Sequence, residues 1–469
     1  MNEFEQKLTK ISNKIIIIII FLSLSLLIYL LFKSFNYSQN LNIDNNYYLL
    51  NEYYKPYIIF AIILIIFWIL IFFALDKSKP IILVSFISII FSLYLVEVLF
   101  FSNIWLNFKK TYEITGFDKR SKFEVIQEFN DDKVVSAISP KRIFSNDDSF
   151  KKIVPLSAIS NRKTVMCNES GEWIIYDSDR YGFNNPDNLW DNLENDLIIL
   201  GDSFAYGACV NQNENISAYL NLKNFDNLNL AFSGNGPLSM LGSLKEYGKT
   251  TKPKFVLWVY YEGNDLIDLK RELSYKSFNF KKYLQKNFSQ NLVNKQTEVD
   301  TLLNNLYQNN LKQKIEEKSK QHKKTIDENR FLNKIHSFDY KKAIKLYNVR
   351  TLLGLINIET EDYIYDNFKE ILLEAKNYST EINSELIFVY LPRYYKTMAY
   401  TNIYNKKKVL NIVKSINVDI VDIDILVFKN HPDPHSLFPF RRKNHYNALG
   451  YKLVAEEISK YLLRNKIIK

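Results

Sequence analysis

Hydrophobic positions follow two regimes along this chain. Near the N-terminus they form three long runs, Ile15 to Phe32, Tyr57 to Leu75 and Ile81 to about Trp105, with Glu97 as their only charge. Each run is long enough, as a helix, to cross a hydrocarbon core of roughly 30 Å. The first is too long for a signal peptide and no small-x-small cleavage site follows it, so a retained anchor is expected. Glu97 lies near the outer end of the third run and is expected to reach the membrane interface. Beyond residue 195 the apolar runs become short and alternate with stretches of helical spacing.

That alternation predicts a parallel sheet. Leu197 to Leu200 is a continuous apolar run of the kind a buried parallel strand shows, and Leu228 to Phe232, Phe255 to Tyr261, Leu386 to Leu391 and Ile416 to Ile425 read as further strands. Helical spacing recurs around Ile216 to Leu222, Tyr363 to Tyr378 and Leu449 to Leu463. Strand and helix in alternation give a mostly parallel, three-layer α/β sheet. Residues 106–195 read as a lead-in of short strands and turns, with loops at Asp131-Asp132 and Asn146 to Asp148. A hairpin over Val165 to Tyr176 is centred on Asn168 to Gly171. A polar, Lys- and Gln-rich interval of about 266–352 breaks the alternation and predicts an inserted helical subdomain over or beside the site.

Charge sets the orientation of the apolar runs. Lys7, Lys10 and Lys14 precede the first, and Lys77 and Lys79 fill the loop between the second and third. Both belong on the cytoplasmic side, with the loop from Ser34 to Pro56 outside. Everything after about residue 106 then lies outside the cytoplasmic membrane, in a periplasmic or extracytoplasmic space. The basic run Lys312 to Lys324 carries interspersed acids on an exported segment, which argues against nucleic acid and for a solvated helical face. The two cysteines, Cys167 and Cys209, lie in that same exported part, where a disulfide between them is permitted. No cysteine or histidine spacing suggests a metal site, and no glycine-rich phosphate loop suggests a nucleotide, so no cofactor is expected.

Seven of the 12 glycines fall between Gly201 and Gly263, which marks demanding loop geometry there. Three successive strand ends in and just after that interval carry Ser203, Gly234 and Asn264. Acyl transfer needs a nucleophile, a base and donors facing a developing oxyanion. Ser203 supplies the hydroxyl and a backbone N–H, Gly234 a close second N–H, and Asn264 an uncharged amide donor. His445, in the loop before the last helix, is the candidate base. His322, His336, His431 and His435 have no partnered context.

In this order and strand context, Ser203, Gly234, Asn264 and His445 make the chain resemble the GDSL/SGNH hydrolase superfamily over roughly residues 195–465, apart from the insertion. The resemblance implies a flavodoxin-like α/β/α fold and esterase, lipase, deacetylase or acyltransferase chemistry. Together with the apolar runs and their flanking charges, it divides the chain into a three-helix membrane anchor over 1–105, the extracytoplasmic lead-in over 106–195 and an SGNH hydrolase-like domain over 196–469. Members usually carry an aspartate two or three residues before the histidine, where this chain has Lys443 and Arg442. Asp433 is then the candidate acid partner, with a Ser–His dyad as the alternative; Asp202 belongs to the turn beside the nucleophile.

An outward-facing anchored domain of this type resembles proteins that add or remove acyl groups on surface polysaccharides. The expected function is a serine esterase acting on O-acetyl or similar esters of a cell-surface polysaccharide or glycolipid. The alternatives are an O-acyltransferase using the same serine, supplied by a separate acyl-donor or polysaccharide-assembly protein, and a catalytically weak glycan-binding protein.

Overall fold

The computed structural model describes residues 3–39, 55–73, 76–101, 116–131, 133–138, 150, 152–192, 194–275, 277–308, 315–317, 343–352, 360–394 and 401–465. Several expectations fall outside these residues. They are most of the outer loop before Pro56, the ends of the second and third apolar runs, Asp132, the turn at Asn146 to Asp148, His322, His336 and most of Lys312 to Lys324. The chain divides into two compact units. One comprises Met1–Lys110 with Ser337–Ile356, the other Thr111–His336 with Asn357–Lys469.

In the first unit the apolar runs fold into the helices Glu3–Gln39, Lys55–Phe73 and Lys79–Phe101. Ile16, Trp68, Ile71 and Leu83 pack together, while Phe21, Leu70, Ile81 and Phe91 remain exposed. Two of these helices, over Glu3–Phe32 and Lys79–Glu97, are long and apolar enough to cross a membrane; the apolar stretch Tyr57–Phe73 of the other is shorter. At 1.5 Å per residue that stretch spans about 26 Å, under the roughly 30 Å of a hydrocarbon core. Three spanning helices are therefore not established. Glu97 is not turned outward. It is fully buried and its carboxylate accepts the backbone N–H of Val349 at 2.8 Å, within the short helix Tyr347–Leu352. Tyr94 donates to the carbonyl of Ile344, and Arg350 to the Tyr57 hydroxyl.

The predicted insertion is accordingly not one subdomain. Residues 343–352 belong with the apolar helices, whereas Phe278, Tyr283, Leu292, Val299 and Leu303 join the main core of the second unit. The reason is burial: apolar side chains on the 278–303 segment have a large core to enter.

The second unit opens with a small sheet. The helix Lys122–Glu128, started by a capping box between Ser121 and Glu124, precedes β1 (Val134–Ser136), β2 (Lys163–Val165) and β3 (Ile175–Asp177). β1 and β2 are parallel, and β2 and β3 form an antiparallel hairpin with Val165 opposite Ile175. The lead-in is no separate layer, because Leu156, Phe183 and Trp190 enter one core of the main sheet and Met166 and Tyr176 the other.

The main sheet comprises β4 (Leu197–Leu200), β5 (Asn227–Asn229), β6 (Phe255–Tyr261), β7 (Glu385–Leu391) and β8 (Asp419–Asp422), all parallel, in the order β5-β4-β6-β7-β8. This is the doubly wound order 2-1-3-4-5, with the switch point between β4 and β6. Alternation along the strands sorts their side chains into two cores. Ile198, Trp258 and Phe388 meet Leu241 of the helix Pro237–Tyr247 and Ile371 of Asp362–Glu381. Ile199, Val259 and Val389 meet Ile216 of the helix Ile216–Asn221 and Ile458 of Ala448–Asn465. Burial on both faces explains why β4, β6 and β7 read as unbroken apolar runs, whereas the edge strands β5 and β8 carry Asn227, Asn229, Asp419 and Asp422.

Candidate active site

β4 delivers Ser203 to the C-terminal edge of the sheet beside the switch point, where open α/β sheets place their ligands. The chain turns sharply at Gly201. A Cβ there would lie 2.4 Å from Cβ of Ala205 and 2.9 Å from the carbonyl oxygen of Val259, so only glycine fits between β6 and the next turn. Asp202 then caps the short helix Ser203–Tyr206, its carboxylate accepting the N–H of Phe204 at 2.8 Å. Asp202 is fully buried, and burial pushes its carboxyl up to about 6.

His445 comes from the loop before the helix Ala448–Asn465. Tyr446 anchors that loop by donating its hydroxyl to the carbonyl of Pro392 at 2.5 Å, and Asn447 donates to the carbonyl of Ser436 at 2.7 Å. The ring of Phe204, stacked on Tyr261, packs 4.8 Å from the imidazole. Nε2 of His445 lies 2.9 Å from Oγ of Ser203.

The opposite ring nitrogen faces Glu169, whose two carboxylate oxygens each lie 3.1 Å from Nδ1. A carboxylate only accepts, so Nδ1 carries the hydrogen and Nε2 is left to accept from the serine hydroxyl. Glu169 also accepts the backbone N–H of His445 at 2.8 Å. Burial alone would raise the Glu169 carboxyl. The hydrogen bonds and charge of His445 outweigh it and hold the group below its ordinary 4.5.

Glu169 sits at the tip of the β2–β3 hairpin. Asn168 pins this tip, donating to the carbonyl of Asp118 at 2.9 Å and accepting the N–H of Gly171 at 3.0 Å. Cys167 is joined to Cys209 in a disulfide, which ties the hairpin to the segment after the helix Ser203–Tyr206. Glu169, Cys209 and His445 form the one cluster of metal-ligating residue types among the described residues. The sulfur of Cys209 is committed to its bond with Cys167 and offers no thiolate.

Asp433 is not at the imidazole. Its carboxylate pairs with the guanidinium of Arg441 at 2.6 Å, and its backbone N–H donates to Nδ1 of His431 at 3.1 Å. A full guanidinium fork eight residues along the chain is a stronger local partner than a ring already held by Glu169. Glu169 escaped the sequence reading because it precedes the sheet and occupies a turn. The cysteines held the missing signal, since pairing them brings the hairpin tip to Ser203.

Gly234 has a left-handed backbone, φ +88°, that favours glycine. Its loop is clamped at both ends. The N–H of Phe232 donates to the carbonyl of Gly201 at 3.2 Å, and buried Glu272 accepts the N–H groups of Gly236, Leu238 and Ser239 at 2.9 to 3.0 Å. Burial pushes the Glu272 carboxyl up to about 7. The backbone N–H groups of Ser203 and Gly234 donate to no group among the described residues. Asn264 starts the helix Asp265–Ser274, and its amide donates to Asp268 at 2.6 Å. The amide oxygen of Asn264 is buried without a partner among the described residues.

No family model matches the chain, and no curated protein matches it. Among solved structures, the chain is similar to a psychrotrophic esterase, EstA from Pseudoalteromonas sp., in a crystal structure inhibited by monoethylphosphonate. That likeness has 12% identity and a TM-score of 0.29, covering 58% of this chain and 98% of that one.

Proposed function

We propose that this chain is a membrane-anchored serine ester hydrolase of the SGNH/GDSL type, acting on acyl esters, acetyl first among them, of a cell-surface polysaccharide or glycolipid. The observation that carries this reading is the relay from Ser203 Oγ through His445, 2.9 Å away at Nε2, to Glu169 at Nδ1. Nε2 takes the hydroxyl proton as Oγ attacks the acyl carbon. The Glu169 carboxylate stabilises the imidazolium formed and keeps its tautomer. The negative charge growing on the acyl oxygen has the Ser203 and Gly234 N–H groups as donors, with the Asn264 amide as a third when it leaves Asp268. His445 then protonates the departing alkoxide, and a water activated by the same imidazole cleaves the acyl-enzyme.

The exposed apolar surface of the N-terminal helices supports an anchor in the cytoplasmic membrane, crossed three times with the second span shorter than the others. The disulfide supports a catalytic domain on the periplasmic or extracytoplasmic side. A phosphatase fused at the C-terminus is expected to be active, and an inactive fusion would reverse the topology.

The chemistry is tested with a fluorophosphonate probe. The wild-type chain is expected to label and Ser203→Ala not to; equal labelling of the two removes Ser203 as nucleophile. Acyl content of surface polysaccharide should rise in cells carrying Ser203→Ala. A fall would mean acyl transfer to sugar rather than to water.

A further inference from the structure

Glu169 is remote from the sheet that carries the rest of the site. It stands on a hairpin whose strands are three residues each, in a small sheet of its own. A carboxylate so mounted keeps a bidentate grip on an imidazole only if the hairpin tip is held to the nucleophile's own segment. One covalent link does this. Cys167 lies two residues before Glu169, Cys209 lies six residues after Ser203, and the two are bonded.

The link also meets the base directly. Sγ of Cys209 lies 3.7 Å from Nδ1 of His445, the same nitrogen that faces Glu169. Cys209 is buried in a left-handed backbone conformation, φ +65°, rare for a residue with a Cβ, and its N–H donates to the sulfur of Met166. The segment is thus fixed from both sides, by the hairpin it is bonded to and by the imidazole it touches.

We propose that the Cys167–Cys209 disulfide is a positioning element of the catalytic relay, holding Glu169 on His445, and that full turnover requires the oxidised form. This inference rests on the esterase reading above. The hairpin retains other holds in the dithiol form, namely Asn168 on Asp118 and the ring of Tyr176 edge-on to Tyr206. Reduction therefore loosens the tip without unfolding the unit. Cys167 is the partly exposed residue of the pair and Cys209 is buried, so an external thiolate meets Cys167 first. Thiol–disulfide exchange with a dithiol reductant breaks the S–S bond, leaves two protein thiols and oxidises the reductant to its own disulfide.

The test uses the full chain in detergent with p-nitrophenyl acetate, comparing the oxidised protein, the dithiothreitol-reduced protein and the Cys167→Ser/Cys209→Ser double variant. Loss of the disulfide is expected to lower kcat by about tenfold or more with KM within about twofold, because the imidazole loses its orienting acid while substrate contacts stay. Reoxidation should restore the wild-type rate. In a Glu169→Gln background, removing the disulfide should cost no further activity, since coupled residues are non-additive. An unchanged kcat on reduction overturns the proposal, as does an equal loss in the Glu169→Gln background. Ser203→Ala, assayed in parallel, separates the two readings. Hydrolysis that survives it removes the esterase assignment and this inference together. Hydrolysis that depends on Ser203 but ignores the disulfide removes this inference alone.

Discussion

Glu169 grips His445 at two points of one residue, accepting the backbone N–H at 2.8 Å while both carboxylate oxygens face Nδ1 at 3.1 Å. The ring can neither rotate about its Cα–Cβ bond nor change tautomer without losing one of these contacts. Glu169→Gln keeps the shape and removes the charge. It is expected to lower kcat by about 10²- to 10⁴-fold, as loss of the acid does in other triads, with folding retained. Asp433→Ala, which breaks only the pair with Arg441, should leave kcat within about twofold, since exposed ion pairs contribute little. Steady-state rates on p-nitrophenyl acetate check both; a larger loss from Asp433→Ala would return that residue to the site.

The same contact has a pH signature. A carboxyl held below its ordinary 4.5 stabilises the fold above that value and loses its contribution as pH falls through its lower folded value. Wild type is therefore expected to melt at a higher temperature than Glu169→Gln at pH 6 to 7, with the gap closing below about pH 4. A gap that widens in acid would mean that the carboxylate is not the stabilising form.

Much of this arrangement was legible because physics writes it locally. Leu197 to Leu200 and Phe255 to Tyr261 read as strands because burial on both faces demands unbroken apolar runs, and Ser203 was visible because such a run ends in front of it. The helix Pro237–Tyr247 left no amphipathic trace for the opposite reason. Each of its residues is buried, Lys245 against Glu374 and Glu246 against Gln290 and Leu292, so no polar face marks its period. Glu169 was hidden by topology, since its partner is far along the chain and the disulfide that joins the two regions has no local signature.

The Gly234 loop hangs on one side chain. Glu272 accepts three N–H groups at the start of the helix Pro237–Tyr247, all buried. Each buried N–H left without a partner costs about 1–3 kcal/mol, so Glu272→Ala should destabilise the unit by roughly 3 kcal/mol or more. Glu272→Gln retains an acceptor oxygen and should cost less. Urea unfolding followed by tryptophan fluorescence measures both. Equal stability of wild type and Glu272→Ala would show that the loop is held by other contacts.

Asn264 tests the proposed oxyanion site. Its amide rests on Asp268 at 2.6 Å, so it must leave that carboxylate to reach a developing charge. Asn264→Ala is expected to lower kcat by about 10²- to 10³-fold with little change in KM, the usual cost of one oxyanion donor. A loss under about threefold would mean that the amide stays on Asp268 and the backbone donors suffice.

Asp202 presents the opposite sign to Glu169. Burial holds its carboxyl at about 6 against an ordinary 3.8, while it caps the helix Ser203–Tyr206 through the N–H of Phe204. A raised carboxyl favours the protonated fold. Its contribution is complete below the ordinary value and is lost as pH rises through about 6. Asp202→Asn keeps an acceptor suited to the cap and never takes the charge. The variant is expected to be more stable than wild type at pH 8 by about 1–3 kcal/mol, the order of a shift of about two units, with no advantage below about pH 4. Unfolding midpoints at pH 4, 6 and 8 decide it. An Asn variant that is less stable at every pH would mean that the carboxylate charge supports the turn under Ser203.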